Sequence, residues 1–211
     1  MQNKPNNYFR AALFLSAVLA LIMAVLLLWK GKTDSFLFIN SHHNAYADIF
    51  FRFYTYAGDG MIWVPFGLYI LIARREYWVL LIAGIIISTL LTHFLKRVVF
   101  ADDLRPLAYF PENIIHLVKG VKMNRMHSFP SGHTAQAFTM ALLIAYISNK
   151  RYIALLFCFL ALLLGYSRVY LAQHFVTDVL AGTLTGIVAA WLSVVLYQWL
   201  DTKKRKKIIP G

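Results

Sequence analysis

The sequence predicts an all-α polytopic membrane protein, with six transmembrane helices in one bundle and a single domain over residues 1–211. Two observations carry this. Hydrophobic residues make up 60% of the chain and charged residues only 14%, whereas soluble domains hold about 25% charged residues. The apolar residues also gather into runs near the ~20 residues that a helix needs to cross a bilayer, and short basic clusters close the ends of those runs. The net charge of +12 is therefore read as a topology signal. No interleaving of aromatic and basic residues accompanies it, which sets nucleic acid aside as a partner.

The first span covers residues 11–29. Its start is basic (Lys4, Arg10) like a secretory leader, but the run exceeds the about 7–15 residues of a leader core. It ends at Trp29-Lys30, an interfacial anchor pair, so it is read as a retained helix. Residues 30–60 are polar and aromatic, and 36–53 within them predict a short amphipathic helix along the interface. His42 and His43 are adjacent, and adjacent side chains on a helix diverge; they read as surface histidines rather than a metal pair. The second span has a short apolar core, 61–73, extended backwards through 54–60 with Asp59 near one surface. It closes before Arg74-Arg75-Glu76.

The third span runs over 77–95 and ends at Lys96-Arg97. A loop over 98–129 follows, of a length that predicts a functional role; Lys119, Lys122 and Arg125 in it read as solvated charge first, and as an attraction for anionic lipid headgroups second. The fourth span is 131–147, the fifth 152–166 with an extension to 171, and the sixth 175–200. Cys158 is the one cysteine, which excludes an intrachain disulfide and offers no sulfur-based metal site. Basic residues orient the bundle. The N-terminus, Arg74-Arg75, Lys150-Arg151 and Lys203-Lys204-Arg205-Lys206-Lys207 mark the cytoplasmic side, and the last cluster is expected to touch anionic lipid headgroups.

The polar stretch His127-Ser128-Phe129-Pro130-Ser131-Gly132-His133-Thr134 lies where the fourth helix should begin. Pro130 suits a first helical turn. Ser131 and Gly132 offer a hydroxyl and open backbone, and the free N–H groups of a helix start attract anions. His133 follows as a proton donor or acceptor. Alone, these residues fit an ordinary capped helix start as well as a phosphate cradle. Two further groupings fall at the same, non-cytoplasmic surface: Lys96 with Arg105-Pro106, and Ser167-Arg168 with His174 and Asp178. His174 and Asp178 are four apart, so on a helix they share a face. The carboxylate then holds one ring nitrogen and leaves the other as a base or nucleophile. Singly, Lys96 and Arg97 read as snorkelling anchors and the His174/Asp178 pair as an interhelical hydrogen bond. Charge within spans is costly, and three such groupings at one surface favour the cradle.

These groupings resemble the type-2 phosphatidic acid phosphatase family of membrane lipid phosphatases, whose site is similar to that of vanadium haloperoxidases. The family signature is Lys, six residues, Arg-Pro; then Pro-Ser-Gly-His; then Ser-Arg, five residues, His, three residues, Asp. The second part stands as Pro130-Ser131-Gly132-His133, and the third as Ser167-Arg168, His174 and Asp178 with the family's spacing. The first part departs: eight residues separate Lys96 from Arg105, and seven separate Arg97 from it. Lys96 is favoured because it continues the third span and is the family's residue type; the longer loop is expected to bulge at 101–103.

The resemblance implies the following roles. His174 attacks phosphorus and forms a phosphohistidine, Asp178 orients it, and His133 protonates the leaving group and then activates water. Lys96, Arg105, Arg168, Ser131 and the Gly132 N–H hold the phosphoryl oxygens. No metal and no cofactor is expected. The implied substrate is a membrane lipid phosphate or diphosphate, with phosphatidylglycerol phosphate, phosphatidic acid, undecaprenyl diphosphate and lipid A all open. The implied place is a bacterial inner membrane, termini cytoplasmic and site facing the periplasm or exterior. A lipid-to-lipid phosphotransferase shares this chemistry up to the phosphohistidine, and an anion transporter or channel would use the same cations without releasing phosphate.

Overall fold

The computed structural model describes residues 6–60 and 63–208, with side chains up to residue 204. Lys4, Met61, Arg205, Lys206 and Lys207 of the groupings above therefore lie outside the described residues or side chains. The helices are α1 (Asn7–Asn40), α2 (Ala45–Tyr54), α3 (Trp63–Ala73), α4 (Trp78–Phe94), α5 (Pro106–Tyr109), α6 (Gly132–Ser148), α7 (Arg151–Tyr170) and α8 (Val176–Ile208), with no strand among the described residues.

Four helical stretches are long and apolar enough to cross a membrane: α1, Arg75–Val99, α7 and Val176–Lys204. A fifth appears if Ala45–Gly58 and Trp63–Ala73, bent by 50° at the break between them, count as one span. The second predicted span is thus not a continuous helix. A 3-10 turn, Thr55–Gly58, interrupts it, and α3 alone has 11 residues. α6 has 17 residues, at the short end of what a crossing needs. Large apolar side chains such as Phe14, Leu28, Ile72, Leu90, Phe159 and Trp191 stand exposed along the helices, as an apolar surround requires.

Local chemistry sets the helix ends. Asn6 caps α1 by accepting from the Phe9 N–H at 2.7 Å, and Asn44 caps α2 by accepting from the Ala47 N–H at 2.9 Å; each satisfies one of the donors that a helix start leaves free. α1 runs past the predicted end of the first span. Its helical geometry breaks at Gly31 (φ 77, ψ 178), a conformation glycine adopts without a Cβ clash. Residues 32–40 therefore belong to this first element, and the amphipathic helix expected over 36–53 is confined to α2.

α6 is the central post, packed against α1, α4, α7 and α8. Gly182 and Gly186 of α8 let the two backbones approach: a Cβ there would stand 2.6 Å from the Ser131 and the Ala135 carbonyl oxygens respectively. Small residues spaced by four are a common device for such contact between membrane helices.

The two ends of the bundle differ. At one, Phe9, Tyr77, Tyr146 and Tyr197 meet edge to edge or tilted, so the chain beside Asn6, Arg74-Arg75 and Lys150-Arg151 converges there. The other end holds the loops. The Asn40 side chain donates to the His116 and Tyr170 carbonyls at 3.0 and 2.9 Å and accepts from the His116 N–H at 2.7 Å. Asp48 accepts from the Tyr170 hydroxyl and pairs with His116 Nε2 at 2.9 Å. These contacts pin the 98–129 loop to α1, α2 and α7. His42 and His43 are exposed, as expected, and His43 stacks on His116 with centroids 3.7 Å apart.

Candidate active site

The loop end of the bundle gathers the polar groupings. His174 lies in the turn between α7 and α8, and Asp178 in the first turn of α8. The expectation that both share a helix face needs correction, because α8 starts at Val176. They meet instead because Asp178 reaches back as a capping side chain, accepting from the Phe175 N–H at 2.9 Å. His174 Nδ1 stands 3.3 Å from Asp178 Oδ2. The same carboxylate accepts from the Ser128 hydroxyl at 2.5 Å and the Thr177 hydroxyl at 3.1 Å. Both members are buried, each 1% exposed. Nδ1 is thus the occupied nitrogen, and Nε2 is left for chemistry. Burial, with Arg105, Arg168 and Lys96 nearby, holds the His174 imidazole well below its ordinary pKa, which keeps it neutral and nucleophilic.

Two arginines flank this pair. Arg168 is 6% exposed. It donates from Nη1 to the Thr55 hydroxyl and from Nη2 to Gln173 Oε1 at 3.4 Å, while its buried Nε has no partner among the described residues. Arg105 donates from Nε to the Met126 carbonyl at 3.0 Å and from Nη1 to Gln173 Oε1 at 3.2 Å. Gln173 therefore bridges both guanidiniums. Its own amide donates to the Lys122 carbonyl at 3.2 Å, fastening the 119–125 segment over the site.

Lys96 sits in a π turn, Leu95–Val99, that continues α4. It is half-buried and acts electrostatically with Arg105, Asp178, Arg168 and both site histidines, whereas Arg97 is exposed. The wide turn, closed by the Phe100 N–H donating to the Leu95 carbonyl at 2.8 Å, and a further turn at 101–102 take up the extra loop length. The expected bulge is thus shared between the helix end and the loop.

Ser131 is the N-cap of α6. Its hydroxyl oxygen accepts from the Thr134 N–H at 3.5 Å and the Thr134 hydroxyl at 2.9 Å, and its own N–H donates to the Asp178 carbonyl at 2.9 Å. It is fully buried, so its oxygen serves the cap. Pro130 precedes the cap and is not in the first helical turn as expected; its ring stands outside because Ser131 takes the capping role. The Gly132 and His133 N–H groups lie in that first turn, where no intrahelical acceptor exists.

His133 pairs through Nε2 with Asp59 Oδ1 at 2.7 Å. Sequence reasoning placed Asp59 near a surface without joining it to His133. Also missed were Ser128, two residues before Pro130, and Gln173, directly before His174. Each lies beside a motif residue, but the pattern does not name its partner. A cavity of about 330 Å³ is lined by His133, Asp59, Arg168, Gln173 and, further out, Arg52 and Lys122. One turn away along the same elements, an apolar cleft of about 180 Å³ is lined by Tyr54, Ala137, Phe157, Leu160 and Leu164. Among the described residues no group of three or more His, Cys, Asp or Glu is placed to hold a metal ion.

Comparison with known proteins adds to this geometry. The family model described as PAP2 superfamily matches residues 77–202. The chain is 30% identical over 197 residues to a lipid A 4'-phosphatase of Bacteroides thetaiotaomicron, across 85% of this chain and 83% of that protein. It is 30% identical over 179 residues to an undecaprenyl-diphosphatase of Sulfolobus acidocaldarius, across 84% and 82%. The crystal structure of Aquifex aeolicus LpxE superposes with a TM-score of 0.69 at 32% identity, covering 78% of this chain and 94% of that one.

Proposed function

The chain belongs to the PAP2 superfamily, and from that premise we propose that it is an integral membrane phosphatase that hydrolyses a lipid phosphate or diphosphate without a metal ion. One observation carries the reading. Arg168 is buried with its Nε unpaired, beside a neutral imidazole whose Nδ1 is already held by Asp178. A buried donor without an acceptor is costly, and a phosphoryl oxygen would satisfy it. His174 Nε2 attacks phosphorus, and the bond to the leaving oxygen breaks. His133 gives that oxygen a proton, then takes one from water as it attacks the phosphohistidine. Phosphoryl transfer needs placement and charge neutralisation above all, which Lys96, Arg105, Arg168 and the Gly132 N–H supply. Ser131 contributes by capping α6. The apolar cleft beside the cavity suits an alkyl chain.

We read α1, the bent pair, α4, α6, α7 and α8 as six spans of one domain. The basic end of the bundle is cytoplasmic by the excess of Lys and Arg, and the site faces the opposite side. The test is phosphate release from lipid phosphates by the purified protein in excess EDTA. The expected result is turnover in the native protein and none in a His174→Ala variant that elutes as a folded species. Retained turnover in that variant would remove the mechanism, and transfer of the phosphate to a second lipid would make the protein a phosphotransferase.

A further inference from the structure

The reaction leaves part of the cavity unused. Its inner wall is buried Arg168 and Gln173 with half-buried His133; its outer wall carries Arg52, Lys122 and Asn124, all exposed. Neither Arg52 nor Lys122 has a carboxylate partner among the described residues. The Arg52 guanidinium lies against Gly120, where a Cβ would stand 2.7 Å from its central carbon and where a φ of +85 favours glycine. Lys122 is held through its carbonyl, which accepts from Gln173 at 3.2 Å, the residue that also bridges Arg105 and Arg168. Two cations without a carboxylate partner thus line the same cavity as His133, the proposed proton donor to the leaving group.

We propose that Arg52 and Lys122, with Asn124, form a subsite for a second phosphate carried on the leaving group. This rests on the reading of the chain as a phosphatase and narrows its substrate class. The preferred substrate carries two phosphates, one cleaved at His174 and one held at the outer wall. A lipid diphosphate supplies the second phosphate directly on the leaving oxygen; a doubly phosphorylated glycolipid supplies it from a distance. The outer groups are exposed, so their contribution is screened by salt.

The experiment compares kcat/KM within two substrate pairs at low salt: a polyprenyl diphosphate against its monophosphate, and a doubly against a singly phosphorylated disaccharide lipid. The native protein is expected to prefer the doubly phosphorylated member of one pair by about ten-fold, the effect of one charge-assisted contact; the pair that shows it identifies the source. Arg52→Ala and Lys122→Ala should each shrink that ratio, and Arg52→Lys should restore part of it. Equal kcat/KM within both pairs, or a ratio unaltered in the double variant, overturns the subsite. A second measurement separates it from the catalytic reading. Inorganic diphosphate should raise the Tm of a His174→Ala protein more than inorganic phosphate, and Arg52→Ala in that background should abolish the difference. If that holds while no lipid phosphate is hydrolysed, the subsite stands and the activity falls; if diphosphate and phosphate act alike, the subsite falls.

Discussion

At the residue scale, the two histidines of the candidate site are each paired with a carboxylate. Asp178 holds His174, and Asp59 holds His133 at 2.7 Å. Asp59 comes from the break between the 3-10 turn and α3, so an element outside the matched region, residues 77–202, reaches the proposed proton donor. The contact makes Asp59 a candidate positioning residue that would act through His133. Asp59→Asn should lower kcat by about 10–100-fold, less than the ~100–10,000-fold that a positioned acid–base group itself contributes, and change its pH profile. The loss should nearly vanish when Asp59→Asn is added to His133→Ala, because residues acting as a unit are non-additive. Additive losses would show that Asp59 works elsewhere. The first-motif lysine is decided on similar grounds. Lys96 is half-buried among the site charges and Arg97 is exposed, so Lys96→Ala should cost about 100-fold or more in kcat/KM and Arg97→Ala less than about three-fold. A reversed order in parallel assays would reassign the role.

At the scale of elements, α6 and α8 form the frame. The site depends on their contact, because the Ser131 N–H donates to the Asp178 carbonyl and so joins the start of one helix to the first turn of the other. Gly182 and Gly186 keep that distance short. Gly186→Leu should push α8 from α6 and destabilise the folded protein by about 1–3 kcal/mol, the usual cost of overpacking. Thermal unfolding in detergent reads this as a lower Tm. A matched Leu substitution at the lipid-exposed Val188 should leave Tm within about a degree or two. The capping side chains belong to this scale as well. Asp178 and Ser131 were legible as candidate site residues from spacing, and a capped start of α6 was legible too, but the capping of α8 by Asp178 was not. A motif records which residues are present and leaves open which hydrogen bonds they make.

At the scale of the molecule, the basic end and the loop end lie on opposite sides of the bundle, the arrangement expected from the charge of the loops. Cysteines placed at Lys119 and Lys150 test its orientation, since Cys158 is fully buried. A membrane-impermeant maleimide added to intact cells should label the first and not the second; the opposite pattern would invert the proposed topology. The long loop shows what packing adds to such a plan. Asn40, Asp48, His116 and Tyr170 join it to three helices, and this fixes Arg105 where Gln173 can bridge it to Arg168.

The sequence by itself determined the membrane class, the all-helical build with most of its long helices, their basic ends and the residues of two motifs. Hydrophobic run length, charge placement and fixed spacing are local properties, readable without knowing what touches what. Only the tertiary structure decided the bend in the second span, the π turn that carries Lys96, the pairing of Asp59 with His133, and the bridge at Gln173. Each of these depends on contacts between residues far apart in the chain or on a local break in helix geometry. Asp59 and His133 are separated by a helical hairpin and a long loop, and no spacing rule joins them; their 2.7 Å contact exists because α6 stands at the centre and the 3-10 turn is bent against it.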